Sequence, residues 1–291
     1  MCGIAGFLSF TNNLTPENHL PLLEEMSAMM RQRGPDDAGV WLDPHGRVGF
    51  SFRRLAVLDL SSAGHQPMHS ADGRSVILLN GEIYNFIELR HMLEAKGIIF
   101  HSRTDTEVLL AALETWGLAE TLERVNGMFA FAWYDRRAKR LTLARDHAGI
   151  KPLYYALQPQ GITFGSQYDV ILKGPWGVPG EVDLTSLHLY LKLHHLPPPY
   201  GLLENTYQLA PGSYLQIDAQ NHLRKETWWR LPRVVEGGFM PVQNAIPELE
   251  SRLDAAIDRQ RIADVPLGVF LSGGVDSPLV SAIAREQTGP D

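Results

Sequence analysis

Between Cys2 and about Asp218 the chain is a succession of short apolar runs separated by polar turns and by stretches of helical period. Strands are predicted over Cys2–Phe10, Val48–Leu60, Ser75–Leu79, Met128–Tyr134, Arg140–Arg145, Leu153–Leu157, Ile162–Ser166 and Ser213–Asp218. Leu20, Leu23, Met26 and Met30 recur at helical spacing, which predicts a helix over Glu17–Gln32. Two more helices are expected, Phe86–Lys96, stopped by Gly97, and Thr106–Trp116, also followed by glycine. Many strands follow one another across short turns, Met128–Tyr134 and Arg140–Arg145 among them, and such neighbours pair antiparallel. The expected fold class is α+β, two largely antiparallel sheets covered by helices.

The texture changes between about His222 and Pro241, where Trp228, Trp229, Pro232, Gly237, Gly238 and Pro241 break both periods. Residues 221–242 read as a linker between a first domain, 2–220, and a second unit, 243–291. That unit opens on an amphipathic helix over Gln243–Gln260, with Ile246, Leu249, Leu253 and Ile257 on one face. A strand over Pro266–Leu271 is expected next, feeding Ser272-Gly273-Gly274-Val275-Asp276-Ser277 and a further helix. Roughly fifty residues cannot bury a core of ordinary size, so the unit reads as the opening of a larger domain.

Composition narrows the function classes. The 291 residues leave room for two domains, and 44% hydrophobic with 20% charged residues is the balance of a soluble globular protein. Lysine and arginine total 26 against 33 acidic residues, a net charge of -7, with no basic run to follow a phosphate backbone. Nucleic acid is not an expected partner. No apolar stretch approaches the roughly 18 to 20 residues that span a bilayer, and no secretory leader is present, so neither is a membrane. A single cysteine builds no internal disulfide framework, and the expected location is a reducing cytoplasm.

That cysteine stands directly behind Met1. Removal of Met1 would leave thiol and α-amine on one residue, nucleophile and base together, with reference pKa values of roughly 8.5 and 8. Taken alone, a cysteine near a terminus is more often inert. Asn80-Gly81 reads either as a turn or as an amide side chain and a backbone N–H that stabilise an oxyanion. Arg54 reads as a solvated edge-strand residue or as a fork for a substrate carboxylate. Asp105 opens a helix and would by default cap it; with Glu82 it could instead hold a substrate ammonium. An arginine for a carboxylate and two acids for an ammonium describe an amino-acid pocket.

Met1-Cys2-Gly3-Ile4, Arg31-Gln32-Arg33-Gly34-Pro35-Asp36, Arg54-Leu55 and Asn80-Gly81-Glu82-Ile83-Tyr84-Asn85 stand in order with the Asp105 segment, Gly127-Met128-Phe129-Ala130-Phe131 and the run from Arg145 to Tyr155. Together they resemble the glutaminase domain of glutamine-hydrolysing asparagine synthetases, class II glutamine amidotransferases, and the resemblance runs through the whole chain. It implies a four-layer αββα N-terminal-nucleophile hydrolase sandwich followed by the start of an α/β ATP-pyrophosphatase-type domain. It further implies Cys2 as nucleophile with its own amine as base, Asn80 and Gly81 as oxyanion hole, Arg54 on the glutamine carboxylate, Glu82 and Asp105 on its ammonium, and backbone contacts from Val57. Gln32 stands where the family often has histidine, and Gln167 where it often has glutamate; both departures touch the surroundings of the site.

Ser272-Gly273-Gly274-Val275-Asp276-Ser277, placed before a helix, lacks the Gly-Lys-Ser/Thr ending of a Walker loop and by itself reads as a plain loop. It resembles the pyrophosphate loop of the ATP pyrophosphatase group. That resemblance implies ATP on Leu271, Ser272, Gly273, Gly274 and Ser277, with Mg2+ on Asp276, neither being needed for the glutaminase step. His194-His195 lacks a third ligand at zinc-like spacing. The expectation is an enzyme that cleaves glutamine and passes ammonia to a carboxylate, aspartate first among the candidates, activated by ATP as an acyl-adenylate. The rivals are amidation of another carboxylate and a non-catalytic glutamine-sensing module. A homodimer is an expectation without support in the residues.

Overall fold

The computed structural model describes residues 1–233 and 240–288. The chain divides into two compact units, Met1–Arg230 and Leu231–Asp291. In the first unit the strands are β1 (Gly3–Ser9), β2 (Asp37–Leu42), β3 (Val48–Arg54), β4 (Met68–His69), β5 (Ser75–Ile83), β6 (Gly127–Asp135), β7 (Arg140–Arg145), β8 (Tyr154–Gln158), β9 (Gly161–Gly165), β10 (Thr206–Gln208), β11 (Ser213–Ile217) and β12 (Leu223–Thr227). Its helices are α1 (Pro16–Met29), α2 (Phe86–Glu94), α3 (Asp105–Arg124), α4 (Tyr168–Leu172) and α5 (Leu184–Leu193).

Every strand pair is antiparallel, as the short connections require, and the strands form two six-stranded sheets. One runs β10-β8-β9-β1-β3-β2 and the other β12-β11-β7-β6-β5-β4. Alternation along the strands divides their side chains between three apolar layers. Ile4, Leu8, Phe50 and Phe52 of the first sheet meet Val76, Leu78, Ala132 and Leu143 of the second in the central one. Ala5 and Phe7 face the opposite way, onto Leu23 and Met26 of α1 and Val170 of α4. Ile77, Leu79 and Phe131 face Leu89 of α2 and Leu109 and Leu113 of α3. The result is helix, sheet, sheet, helix, and β1 is buried along its whole length because both its faces are covered.

Several elements differ from the sequence pattern, each for a tertiary reason. The run expected as a strand to Leu60 ends at Arg54, where Asp36 donates its amide to the Arg54 carbonyl at 3.0 Å and accepts the Ala56 amide at 2.8 Å. In the other direction β5 continues past Leu79 to Ile83, so Asn80-Gly81 is strand and not turn. A Cβ on Gly81 would lie 2.2 Å from the Met128 carbonyl, so this glycine serves close approach to β6. Helix α3 runs past Trp116 to Arg124, across a kink at Gly117 with φ 78°. The segment expected as a linker, residues 221–242, contains β12, paired with β11. Trp228 stacks on Phe129 at 6.3 Å, and the first unit extends to Arg230. Gly237 and Gly238 lie outside the described residues.

The second unit contains α6 (Val242–Gln260) and α7 (Asp276–Thr288). Residues Pro266–Leu271, expected as a strand, are irregular: among the described residues of this unit none is a strand to pair with, and an unpaired strand leaves its backbone groups unsatisfied. Phe270 is 100% exposed there. Ile257 is buried, whereas Ile246 and Leu249 of the same α6 face are exposed, as expected of a unit too small to cover its own apolar residues.

Candidate active site

Cys2 enters β1 with its side chain against the inter-sheet core. Its Sγ accepts the Leu55 amide at 3.4 Å and donates to the Leu55 carbonyl at 3.7 Å. Burial pushes the thiol pKa up; the Leu55 amide opposes this and the Glu82 and Asp105 carboxylates add to it. The thiol is therefore protonated near neutral pH and needs a base to become a nucleophile. The amine at the chain start, carried here by Met1, is held below its ordinary value chiefly by burial, which favours the unprotonated form of a base.

Arg33, not singled out from the sequence, donates through Nε to the Cys2 carbonyl at 3.0 Å. The backbone reaches this place because Gly34 is pressed against β3: a Cβ there would lie 2.6 Å from Arg53 and Arg54 main-chain atoms. Only the motif around it, Arg31 to Asp36, carried a signal.

Arg54 closes β3 and turns its guanidinium back over the following loop. Its Nη1 donates to Ser61 O at 2.8 Å, and Nη2 to Leu58 O at 3.0 Å and Asp59 O at 2.5 Å. Asp59, held ionised by Ser61 and by the Arg103 amide, stiffens that loop. Three of the five guanidinium protons are thus used to fix its plane, which leaves others for a ligand. Arg54, Leu55, Val57, Leu58, Gly64, Gln66, Gly81, Glu82, Asp105 and Cys2 line one cleft, with about 330 Å³ of free space including its mouth. The structure thereby brings together Cys2, Arg54, Val57, Gly81, Glu82 and Asp105 from four separate stretches of chain.

The free edge of β5 organises this cleft. Strand alternation sends the amides of Leu79, Gly81 and Ile83 to the side away from β6. The Leu79 amide is taken by Gln66 Oε1 at 2.6 Å, and the Ile83 amide by Asp105 Oδ2 at 2.8 Å. Gly81 lies between them with its amide directed into the cleft. The α3 N-terminus is capped by Thr104, whose hydroxyl accepts the Glu107 amide at 3.2 Å, so Asp105 is the first helical residue and its carboxylate reaches across to β5. Burial holds Asp105 above the carboxylate range against the Ile83 bond, and burial with the neighbouring Asp105 raises Glu82 further. Two desolvated acids sharing one cleft are a receptor for a cation. Lys151, 5% exposed, is depressed by burial and pulled back up by Glu82 and Cys2, a positive group near the site that the sequence pattern did not reveal.

Asn80 is not in the cleft lining. It is buried one position before Gly81, with Nδ2 3.4 Å from Ser166 Oγ and Oδ1 without a partner among the described residues. Gln167, one of the departures, donates to Asp169 at 3.3 Å on the surface.

In the second unit, Ser272 to Val275 form an exposed bend ahead of α7, which begins with Asp276 and Ser277. Ser277 Oγ accepts the Ser272 amide at 2.9 Å and lies 2.8 Å from its hydroxyl, and a Cβ at Gly273 would meet nothing within 4 Å. Open glycines before a helix N-terminus that carries Asp276 suit a phosphate chain and a hard cation. Among the described residues no three-residue group of His, Cys, Asp or Glu is placed to hold a metal ion, and no helix is long and apolar enough to cross a membrane.

The four αββα layers, with Cys2 at the head of a central strand, define an N-terminal-nucleophile hydrolase fold. A solved glutamine phosphoribosylpyrophosphate amidotransferase from B. subtilis, complexed with ADP and GMP, shares this fold: TM-score 0.54, 18% identity, 78% of this chain and 49% of that one. Residues 1–229 match the family described as glutamine amidotransferase domain, and residues 248–291 the family described as asparagine synthase. The chain belongs to the glutamine amidotransferase family. Glutamine-hydrolyzing asparagine synthetase 1 of Bacillus subtilis (strain 168) is 35% identical over 290 residues, covering 98% of this chain and 44% of the relative. Asparagine synthetase 3 of the same strain is 34% identical over 288 residues, covering 98% and 45%. A protein named Amidase chry2, from Gibberella zeae, is 28% identical over 292 residues, covering 97% and 42%. The chain spans somewhat less than half the length of these relatives.

Proposed function

We propose that this chain carries the glutamine-hydrolysing step of an asparagine synthetase, with Cys2 as nucleophile. The observation that carries the reading is the Gly81 amide, held open on the β5 edge between Gln66 and Asp105 and aimed into the cleft that contains Cys2. With Met1 removed, the Cys2 amine takes the thiol proton as Sγ bonds to the glutamine side-chain carbonyl carbon. The carbonyl oxygen becomes an oxyanion facing the Gly81 amide and the Asn80 carboxamide. The same proton passes to the leaving nitrogen, the carbon–nitrogen bond breaks, and ammonia departs from a thioester that water then hydrolyses to glutamate. Arg54 and the Val57 backbone hold the substrate carboxylate end, and Glu82 with Asp105 holds its ammonium.

The ammonia is destined for a carboxylate acceptor on the synthetase side. ATP with Mg2+, when bound, supplies activation of that carboxylate as an acyl-adenylate. Leu271, Ser272, Gly273, Gly274 and Ser277 would hold the nucleotide, and Asp276 the cation. Aspartate is the acceptor favoured by the two asparagine-synthetase relatives, and the similarity to Amidase chry2 supports the second reading, another carboxylate. The Cys2→Ala variant is expected to lose glutamine hydrolysis by at least about a thousandfold. Hydrolysis at the unaltered rate overturns the reading. An amide-product assay of the full-length enzyme with ATP, glutamine and a panel of carboxylic acids identifies the acceptor, and turnover of another acid without aspartate decides for the second reading.

A further inference from the structure

Ser166 stands at the end of β9 and is tied twice to Ile4, the second residue after Cys2: its amide donates to Ile4 O at 2.8 Å, and its Oγ accepts the Ile4 amide at 3.1 Å. Its Oγ is therefore fixed relative to the strand that carries the nucleophile. Among the described residues, the one other hydrogen-bonding contact of Oγ is Asn80 Nδ2, at 3.4 Å from across the gap between the sheets. Asn80 is 0% exposed, and its Oδ1 has no partner among the described residues.

A hydroxyl offers one proton and two lone pairs. The Ile4 amide occupies one lone pair of Ser166, and in this arrangement Nδ2 faces the other, so the hydroxyl proton has no acceptor while a buried carbonyl oxygen goes unpaired. An unpaired buried acceptor costs about 1–3 kcal/mol. The two ends of a carboxamide share one outline, and turning Asn80 over exchanges them without moving any other atom. Oδ1 then accepts the Ser166 proton, and Nδ2 takes the place of the unpaired oxygen. An amide donor one residue from the Gly81 amide is what a developing oxyanion requires.

We propose that Ser166 is a positioning residue for amide hydrolysis: its hydroxyl, anchored by Ile4, donates to Asn80 Oδ1 and holds Nδ2 toward the oxyanion. The inference rests on the reading of Asn80 as an oxyanion donor. Ser166 touches no substrate atom and acts only through the orientation of that amide.

The test compares wild type with Ser166→Ala, Asn80→Ala and the double variant in the full chain. It reads kcat, KM for glutamine, and inhibition by glutamate and by glutamate γ-semialdehyde, whose adduct with a thiol carries the tetrahedral oxygen. Ser166→Ala is expected to lower kcat about ten- to a hundredfold with KM for glutamine within about twofold. Semialdehyde inhibition weakens by the same factor and glutamate inhibition stays unchanged. In the Asn80→Ala background the serine change costs nothing more. Should Ser166→Ala fail to fold, the pair Ser166→Thr and Ser166→Val, equal in shape, isolates the hydroxyl, and only threonine is expected to retain kcat. Unchanged kcat in Ser166→Ala beside a slow Asn80→Ala overturns the proposal, as does parallel loss of glutamate binding. Full kcat in Asn80→Ala overturns instead the reading on which it rests.

Discussion

Alanine at position 64 would bring a Cβ to 1.9 Å from Nη2 and 2.4 Å from Cζ of Arg54. Neither contact is tolerable, and something must move by about 1 Å or more. The clashing atoms belong to the end of a side chain, so the guanidinium yields and the fold survives. The movement withdraws Nη2 from Leu58 O and Nη1 from Ser61 O, the contacts that fix the plane of the fork. Loss of one hydrogen bond between this fork and a substrate carboxylate corresponds to about 1.5–3 kcal/mol. At 1.4 kcal/mol per tenfold, Gly64→Ala is expected to raise KM for glutamine roughly ten- to a hundredfold. The chemical step is remote from that carboxylate, so kcat falls far less. Initial rates of glutamate formation across a glutamine series measure both parameters, and a thermal unfolding curve confirms that the variant is folded. Gly180→Ala, whose Cβ would meet nothing within 4 Å, is the control. A folded Gly64→Ala protein with unchanged KM refutes the assignment of Arg54 to the carboxylate.

Burial raises the Glu82 and Asp105 carboxyls, so the ligand-free folded chain keeps protons that the unfolded chain releases. Their contribution to stability is complete below the ordinary carboxylate value of about 4 and is lost as pH rises through the elevated folded values. Glu82→Gln is expected to flatten the fall in denaturation midpoint between about pH 5 and pH 8, and a wild-type midpoint that does not fall across that range contradicts the argument. Glutamine binding, by bringing an ammonium between the two acids, is expected to release protons near neutral pH, visible as a buffer-dependent binding heat in the Cys2→Ala protein. Intact-mass measurement of active protein is expected to show Met1 removed; full hydrolysis with methionine wholly retained would eliminate the Cys2 amine as base.

Local pattern carried much of the fold. Short apolar runs marked β1, β6, β7, β9 and β11 because both of their faces are covered, and helical spacing marked α1, α2 and α6. It missed β2, Asp37–Leu42, where Asp37 and Gly39 have low strand propensity and pairing with β3 supplies the order. It missed β12 because Arg224, Lys225 and Glu226 read as loop, although charge on an exposed strand is ordinary protection of a sheet edge. The site was legible as residue types: a thiol beside an amine, an arginine, two acids and an amide next to glycine. Its supports were not. Arg33 on the Cys2 carbonyl, Gln66 on the Leu79 amide, Thr104 in place of Asp105 as the helix cap, and Ser166 beside Asn80 are contacts across 31, 13, 3 and 86 residues of chain.

The sequence by itself determined the chemistry available at Cys2 and the alternating layers, since both follow from side-chain types and their period along the chain. Tertiary structure alone decided that Asn80-Gly81 is strand, because only the close approach of β6 excludes a side chain at Gly81. It decided too that the Gly81 amide is free, because Gln66 and Asp105, distant in sequence, occupy the amides on either side. A local pattern records which faces of a strand are apolar; it carries no record of which distant group will take each backbone hydrogen bond.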